Sequence, residues 1–295
     1  MNLFSISDLQ KYSGIKAHTI RVWEQRYEAL KPNRSEGNTR YYDGSQLRRL
    51  LNITSLLSMD YKVSELCRMP DKELNNLLYE QLAKSISADS AYEYFISQII
   101  SAAMDFDEQK FDKVFANCIL RFGIKGSYIN VIYPALVRVG FMWSKDAIPP
   151  VQEHFVTNLL RQKLLAAMDA LPPASSTKNT WLLFLPEDEF HETGLLLSNY
   201  LIRQSGQKVI YLGANVPFES LKLAVKETQA VNLLFFLIHK NNEEDDRDYI
   251  KNISKTFSSK NIYMACDAAR FGSYKTASNL TQLHTVMDLE KELIS

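Results

Sequence analysis

The hydrophobic positions of the chain follow different periods in three successive segments. In residues 1–75, short apolar patterns are interrupted by glycine and by basic, aromatic turns. In residues 78–171, apolar residues recur at three- and four-residue steps, which predicts amphipathic helices. In residues 178–295, short runs that are apolar on both faces alternate with helical patterns, which predicts a buried parallel sheet. We therefore expect a multidomain protein of the α and α/β classes, with one domain in each segment.

The first segment has the pattern of a helix-turn-helix. Ser5-Ile6-Ser7-Asp8 forms a capping box, with Asp8 in place of the usual glutamate, and opens a short helix that Ser13-Gly14 ends. A second helix is predicted from about Lys16 to Arg26, with Trp23 and Tyr27 at core spacing. In this motif the second helix enters the major groove of DNA. The polar residues on its outer face also suit an ordinary solvated surface.

A turn-rich ribbon that is both basic and aromatic follows the second helix. It comprises Lys31-Pro32-Asn33-Arg34 and Glu36-Gly37-Asn38-Thr39-Arg40-Tyr41-Tyr42. This composition is typical of a wing whose arginine and tyrosine side chains meet DNA phosphates. Ser45 is then predicted to cap a leucine-rich helix, and a further helix begins near Ser64.

Charge is distributed unevenly along a chain that is neutral as a whole. Lys+Arg and Asp+Glu each number 34 in the 295 residues, yet residues 1–50 hold nine Lys/Arg against five Asp/Glu. This positive surplus at one end favours a nucleic-acid-binding segment. The hydrophobic content of 46% is ordinary for a folded protein.

Residues 1 to about 70 resemble MerR-type transcription regulators in the order and spacing of five short motifs. These are Ile6-Ser7-Asp8-Leu9, Gly14-Ile15, the run from Thr19 to Tyr27, Leu30-Lys31-Pro32 and Arg40-Tyr41-Tyr42. The resemblance implies a winged helix-turn-helix that binds double-stranded operator DNA as a dimer. It also implies base or phosphate contacts, which we assign to Thr19, Arg21, Arg26, Arg34, Arg40 and Tyr42. Trp23 and Tyr27 are expected in the core rather than on the DNA.

The middle segment predicts a four-helix bundle. Its apolar steps lie at Tyr92–Ile100, Phe111–Ile119, Ile129–Val139 and Phe155–Leu165, with short joins between them. Asp105-Phe106-Asp107 is predicted to open the second helix, and Gly123 and Gly126 to mark the next gap. We expect Trp143 just past the third helix, and Glu153-His154 at the start of the fourth.

The last segment predicts a flavodoxin-like (Rossmann-type), doubly wound parallel sheet. Its expected strands are Trp181–Leu185, Lys208–Leu212, Val231–Ile238, Ile262–Ala265 and Leu283–Val286, with helical patterns between the first four. A plausible linker, Pro172 to Thr177, precedes them. Open sheets of this class bind ligands at the carboxyl ends of their strands. The loop after the first strand is therefore the first place to expect a site.

That loop carries the hexapeptide Glu189-Phe190-His191-Glu192-Thr193-Gly194. The imidazole of His191 can ligate a metal in its neutral form at pH 7. Glu189 is placed to accept the other ring N–H and so fix the tautomer. Gly194 would let the loop and the following helix pack closely. The ordinary interpretation is a polar loop histidine before a helix.

The hexapeptide resembles the Asp-x-His-x-x-Gly motif of cobalamin-binding domains, with glutamate in the first place. In that family the histidine is the lower axial ligand of cobalt, which implies that role for His191. Gly213-Ala214-Asn215-Val216-Pro217 resembles the Leu-Gly-x-x-x-Pro segment that ends the second strand of the same domains. Glu189, Gly194 and Gly213 are therefore predicted cofactor-binding residues.

The middle segment resembles the bundle that caps cobalamin in light-sensing MerR-type repressors. Trp143, nine further residues and Glu153-His154 reproduce its signature. The resemblance implies that Trp143 shields the upper face of the corrin, that Glu153 and His154 lie near the upper ligand, and that the cofactor sits between bundle and sheet. Light-sensing members commonly have histidine directly after the tryptophan, and it ligates cobalt after illumination. Here that position is Ser144, which departs from the pattern.

Two further positions depart from the cobalamin-binding pattern. The family usually has a serine or threonine loop after the third strand, which reaches the lower-ligand base, whereas this chain has Leu237-Ile238-His239-Lys240. It also has a Gly-Gly pair after the fourth strand, where the nucleotide tail passes, whereas this chain has Ala265-Cys266-Asp267. A Cβ at both places would crowd the tail. His239 is an added candidate contact, or an ordinary surface histidine.

The resemblances together imply a transcription regulator, not an enzyme, whose self-association and operator binding respond to cobalamin. We expect adenosylcobalamin as the form, light as an added signal, and a dimer or tetramer as the assembly. Three dispersed cysteines predict a reducing cytoplasm. No signal-peptide pattern and no apolar run of membrane-spanning length predict the absence of a membrane partner.

Two alternatives stay open from the sequence alone. In one, the C-terminal module no longer binds cobalamin and serves oligomerisation or partner binding, which the two departures favour. In the other, the chain is a corrinoid methyl-transfer protein, since the same bundle and sheet pair occurs in that class. The DNA-binding segment speaks against the second alternative, and no paired nucleophile and base stand out.

Overall fold

The computed structural model describes residues 3–34, 38–57, 61–74, 76–77, 92–144, 150–238, 243–266, 271 and 277–294. Glu36, Gly37, His239, Lys240 and Asp267, which figured in the predictions, lie outside these ranges. The chain divides into two compact units, residues 1–159 and 160–295. No helix within the described residues is long and apolar enough to cross a membrane.

The first unit begins with the predicted helix-turn-helix. Helix α1 spans Ile6–Ser13 and helix α2 spans Ala17–Tyr27, with Gly14 between them in the left-handed conformation at φ 75°. The capping box is present, because Ser5 Oγ accepts the Asp8 N–H at 3.2 Å while the Asp8 carboxylate accepts the Ser5 N–H at 2.8 Å. Trp23 is buried, as predicted, and Tyr27 is half-buried.

Strands β1 (Asn33–Arg34) and β2 (Arg40–Tyr41) pair in antiparallel fashion and form the wing. Helices α3 (Gly44–Leu57) and α4 (Val63–Leu66) follow. The predicted cap of α3 was wrong: Asp43, two residues before Ser45, caps the helix. Asp43 Oδ1 accepts the Gln46 N–H at 3.0 Å and the Ser45 hydroxyl at 2.6 Å, because a carboxylate just before the first turn can reach both donors.

Four helical stretches make the predicted bundle. They are α5 (Tyr92–Asp105), α6 (Glu108–Ser127), a π-helical turn (Tyr128–Ile132) that leads into α7 (Tyr133–Ser144), and α8 (Pro150–Asp169). Asp107 caps α6 by accepting the Lys110 N–H, as expected. The predicted break at Gly123 is a kink, since this residue has φ 66° and ψ 174° inside α6. Residues 150–159 of α8 group with the first unit and 160–169 with the second.

The second unit contains the predicted five-stranded parallel sheet. Its strands are β3 (Ser176–Pro186), β4 (Gln207–Val216), β5 (Asn232–Leu237), β6 (Asn261–Cys266) and β7 (Leu280–Leu283), in the spatial order β4-β3-β5-β6-β7. This is the flavodoxin-like order. Helices α9 (Glu192–Gln204), α10 (Phe218–Thr228), α11 (Glu243–Thr256) and α12 (Val286–Ile294) accompany it.

The last strand lies three residues earlier than predicted. Leu283 ends β7 rather than beginning it, and α12 starts at Val286. The reason is a cap: Asp288 Oδ2 accepts the Thr285 hydroxyl and N–H at 3.0 Å, which turns the chain into a helix at once. The central strands β3 and β5 are nearly all buried, which explains their apolar character on both faces.

Candidate functional site

The outer face of α2 presents the cations that the sequence assigned to DNA. Arg21 and Arg26 are exposed, and Thr19 is half-buried. Ile20 and Trp23 face inward and fix the helix on the rest of the first unit. Guanidinium groups on an exposed helix face can donate to phosphate oxygens or to guanine edges.

The wing presents a further exposed arginine. Arg34 on β1 donates from Nη1 to Oδ1 of Asn38, across the turn of the wing. Asn38 has φ 61°, a left-handed conformation that asparagine tolerates in tight turns. Arg34 and Arg40 are direct cross-strand partners, so two predicted contacts stand side by side on this ribbon.

Glu24 of α2 holds the wing, and sequence reasoning missed it. Its Oε1 accepts the Tyr42 hydroxyl, and its Oε2 lies 3.5 Å from Nε of Arg40. The Glu24 side chain is only 7% exposed. Burial raises the pKa of Tyr42 above its ordinary value, and the hydrogen bond to Glu24 raises it further. A buried carboxylate with two partners on the wing therefore fixes the ribbon relative to α2.

Tyr42 is placed differently from the sequence prediction. Its side chain is fully buried, and its hydroxyl is occupied by Glu24. Its backbone pairs with Phe4 through N–H···O=C bonds of 2.7 and 2.9 Å in both directions. A ring enclosed in the core cannot reach a phosphate, so this structure suits a positioning role for Tyr42 instead of the DNA contact we assigned.

In the second unit, the loop after β3 is held from the neighbouring strand β4. Asp188 and Asn215 both have positive φ, of 63° and 55°. The Asp188 N–H donates to Oδ1 of Asn215 at 3.0 Å, and the Asn215 N–H donates to the Glu189 carbonyl at 3.2 Å. These two bonds fix the loop that carries Glu189 and His191 at the carboxyl edge of the sheet.

The Glu189 carboxylate is buried and accepts hydrogen bonds from both sides of the loop. Oε1 accepts the backbone N–H groups of Phe190 at 2.9 Å and His191 at 3.0 Å, and it lies 2.6 Å from Nδ1 of His191. Oε2 accepts the Ile238 N–H, from the end of β5, at 3.1 Å. The side chain is 5% exposed. The hydrogen bond between Glu189 and the His191 ring is the one that the sequence predicted.

This arrangement fixes the tautomer of His191. An ionised carboxylate only accepts hydrogen bonds, so Nδ1 of His191 carries the proton that Glu189 receives. In the neutral ring the lone pair then belongs to Nε2, the nitrogen that can ligate a metal. The His191 side chain is 55% exposed, so the ring is presented at the surface of the unit.

Apolar side chains flank His191 at the same edge. Phe190 is 64% exposed and Ile238 is 48% exposed. Ile238 is close because its N–H binds Glu189. These two side chains add exposed apolar surface to the loop and to the strand end that is bonded to it. Sequence reasoning had not assigned Phe190 or Ile238 to the site.

Glu192, directly after His191, connects three elements of the second unit. It accepts the Tyr211 hydroxyl of β4 at 3.2 Å and pairs with Nη1 of Arg161 on α8 at 3.0 Å. Burial, with the nearby Glu192 charge, raises the pKa of Tyr211. Gly213 has φ 83°, and a Cβ there would lie 3.2 Å from Oε1 of Glu192. The predicted glycine thus allows β4 to pass close to α9.

Gly194 meets an aromatic ring. A Cβ added to it would lie 2.5 Å from Cε1 of Phe236, so the ring packs directly on the glycine backbone. Leu237, next on β5, is buried, while Ala265 and Cys266 at the end of β6 are half-buried. The close packing that we expected at Gly194 is therefore present, and the protein's own side chain supplies it.

The three remaining predicted residues lie in the first unit. Trp143 belongs to the last turn of α7, not beyond that helix as predicted, and the side chains of Trp143 and Ser144 lie outside the described residues. Glu153 and His154 stand in the first turn of α8, with Oε2 of Glu153 3.1 Å from Nδ1 of His154. His154 is 69% exposed and Glu153 is 29% exposed.

Two protein-family models match the chain. Residues 4–71 match the MerR HTH family regulatory protein, and residues 96–167 match the B12 binding domain. The first match covers the helix-turn-helix, the wing and α3, and the second covers most of the helical bundle. Matches to both families therefore occur in one chain.

Curated relatives match most of the chain. The HTH-type transcriptional repressor CarH of Myxococcus xanthus is 26% identical over 224 residues, which is 75% of this chain and 74% of the relative. CarA of the same organism, also an HTH-type transcriptional repressor, is 26% identical over 74% of this chain and 70% of its own length. Among solved structures, the monomethylamine corrinoid protein of Methanosarcina barkeri covers 68% of this chain and 98% of its own, with a TM-score of 0.50. At 14% identity, that likeness concerns the fold alone.

Proposed function

From the homology to the CarH and CarA repressors, we propose that this chain is a DNA-binding transcription regulator whose operator binding is controlled by cobalamin. One observation carries the proposal. The same chain joins a helix-turn-helix with exposed arginines to a loop on which a buried carboxylate orients an exposed imidazole.

On the DNA side, α2 enters the major groove and the wing lies against the flanking backbone. Arg21 and Arg26 supply contacts from α2, with Thr19 beside them, while Arg34 and Arg40 supply contacts from the wing. Glu24 and Tyr42 act behind this surface by holding the wing at a fixed distance from the helix. Operator binding as a dimer is part of the proposal.

On the cofactor side, the donor set suits the cobalt of a corrinoid. If a corrinoid is bound, His191 would supply the protein nitrogen that holds its cobalt. Glu189 places the proton on Nδ1 of His191, so in the neutral ring Nε2 is the nitrogen that carries the lone pair. Phe190 and Ile238 offer apolar surface beside the ring. We propose Trp143, Glu153 and His154 as further cofactor-binding residues, as the resemblance implies.

Control of operator binding by cobalamin follows from thermodynamic linkage between ligand binding and assembly. A ligand that favours one assembly state shifts the population toward it by its difference in affinity for the states. We propose that cobalamin favours one oligomer, a dimer or a tetramer, and that this oligomer differs in operator affinity. In its adenosyl form the cofactor supplies a cobalt–carbon bond that light can break. We propose this form as the effector, with Ser144 unable to take the ligating role of a histidine.

The other functions considered are less well supported. A corrinoid methyl-transfer protein would share the bundle and the sheet. However, the likeness to a solved structure that is 14% identical supports a shared fold alone. The curated relatives are repressors. The alternative that the module has lost cobalamin gives no role to the exposed His191 ring that Glu189 orients. We therefore propose a regulator, not an enzyme.

The proposal is tested by titrating fluorescent operator DNA, recovered from a random duplex pool by the protein itself. Wild type should bind, and adenosylcobalamin should change its affinity in the dark. Arg21→Ala should weaken DNA binding and lower the salt slope by about one, whereas the exposed Lys72→Ala should not. His191→Ala should bind DNA as wild type does but ignore the cofactor. Equal curves for all proteins, with and without cofactor, would refute the proposal.

A further inference from the structure

The residues on the two sides of His191, toward β4 and toward β5, bear on which corrinoid the loop can bind. This inference rests on the proposed function. Cobalamin carries a nucleotide on the lower face of its corrin, ending in dimethylbenzimidazole. When a protein imidazole takes the lower position on cobalt, that nucleotide must find room beside the imidazole, on the surface of the second unit.

The flank toward β4 is filled by the protein. The Asn215 side chain and backbone are both bonded to the His191 loop. Gly213 is buried, and Glu192 lies so close that a single Cβ would be 3.2 Å from its Oε1. Glu192 is itself fixed by Tyr211 and Arg161. The described side chains on this side are thus bonded to the loop or to one another.

The flank toward β5 is filled as well. Gly194 would leave bare backbone at the start of α9, but the Phe236 ring lies on it, with three of its carbons within 3.3 Å of an ideal Cβ position. Ile238 is drawn to the same loop by its bond to Glu189. Beyond β5, the carboxyl end of β6 carries the side chains of Ala265 and Cys266.

We propose that Phe236 is a specificity-determining residue that selects corrinoids without a lower nucleotide, of the cobinamide type, over complete cobalamin. The ring occupies the seam between α9 and β5 that the nucleotide would need. A complete cobalamin must displace the ring or leave its nucleotide in water, and either choice lowers its affinity. Cobinamide has the same corrin and cobalt and meets His191 without this conflict.

The inference is tested by equilibrium dialysis of the full chain in darkness against adenosylcobalamin and adenosylcobinamide, with cobalt measured on both sides. Wild type should bind adenosylcobinamide about tenfold more tightly or better. On binding, the visible spectrum of adenosylcobinamide should change to that of a corrinoid whose cobalt has gained a nitrogen ligand. His191→Ala should abolish that change. Phe236→Ala should raise the affinity for adenosylcobalamin and leave that for adenosylcobinamide unchanged.

Controls separate packing from specificity. Leu223→Ala removes an exposed apolar side chain from α10 and should leave the ratio of the two affinities as in wild type. If Phe236→Ala fails to fold, Phe236→Leu should change the ratio of the two corrinoid affinities in the same direction by a smaller factor. Equal affinities in wild type, or an unchanged ratio in the folded Phe236 variant, overturn the inference and leave the proposed function standing. Binding of neither corrinoid overturns both.

Discussion

Oε1 of Glu189 lies 2.6 Å from Nδ1 of His191 and at the same time accepts the backbone N–H groups of Phe190 and His191. One buried oxygen thus fixes the loop, the ring orientation and the tautomer together. Mutating a partner of this kind typically lowers the metal affinity of a site by about tenfold to a hundredfold. Glu189 is therefore the first residue to alter.

Glu189→Gln should weaken corrinoid binding by about tenfold to a hundredfold, because an amide no longer holds the imidazole proton with a full charge. Cobalt retention in equilibrium dialysis measures the effect. Glu187→Gln, which changes an exposed acid two residues earlier, is the matched control and should retain cobalt as wild type does. Equal retention by the two variants would mean that Glu189 serves the loop fold only.

Glu24→Gln should weaken operator binding by a factor of about three to ten, because the ion pair with Arg40 is lost and the wing is less well fixed. Simple electrostatics predicts the opposite sign, since removing an acid near DNA phosphates favours binding. Glu28→Gln, an exposed acid at the end of the same helix, provides that comparison. Fluorescence anisotropy distinguishes the two signs, and tighter binding by Glu24→Gln would contradict the positioning role.

Gly194→Ala should destabilise the protein by about 1–3 kcal/mol, because the added methyl group meets the Phe236 ring at 2.5 Å. Replacing Phe236 by leucine in the same chain should recover part of the loss. Gly140→Ala is the control, since a Cβ there meets nothing within 4 Å, and it should be neutral or stabilising in its helix. Thermal or urea unfolding measures all three, and additive effects of the Gly194 and Phe236 changes would contradict the contact.

Asp43→Ala should cost about 1 kcal/mol at neutral pH, because α3 loses its cap. The bonds from the Ser45 hydroxyl and the Gln46 N–H hold the pKa of Asp43 below its usual value. A carboxyl with a lowered pKa in the folded state stabilises that state above its unfolded pKa, and this stabilisation is lost as pH falls through the folded pKa.

The difference in unfolding free energy between wild type and Asp43→Ala should therefore shrink as pH falls from about 5 toward 3. Asp43→Asn keeps a capping oxygen without a titrating group. The difference in unfolding free energy between Asp43→Asn and Asp43→Ala should stay constant over the same pH range, because neither variant carries the titrating carboxyl. A constant difference for Asp43→Ala would contradict the assignment of the cap to a charged carboxylate.

The periodic elements were predictable from the sequence, because burial of one helix face or both strand faces leaves a direct trace in residue order. The capping box at Ser5, the bundle helices and the sheet were found at or near their predicted places. The cap of α3 and the start of β7 were not, since Asp43 and Asp288 act through short-range bonds that compete with the apolar pattern.

Side-chain roles that depend on distant parts of the chain were harder to predict. Tyr42 belongs to an arginine- and tyrosine-rich ribbon, yet its ring turns into the core toward Glu24, 18 residues away. Phe236 gave no signal as a neighbour of Gly194, because the two meet only when β5 is placed beside β3. The bond between Glu189 and His191 was predictable because it is local.

The central claim is that Nε2 of His191 ligates the cobalt of a corrinoid. It is tested most directly by the electron paramagnetic resonance spectrum of the cobalt(II) corrinoid bound to protein labelled with the heavy nitrogen isotope. A ligating protein nitrogen predicts that the threefold splitting seen with unlabelled protein becomes twofold on labelling and disappears in His191→Ala. A threefold splitting that persists in the labelled protein would show that the nitrogen comes from the cofactor and would contradict the account.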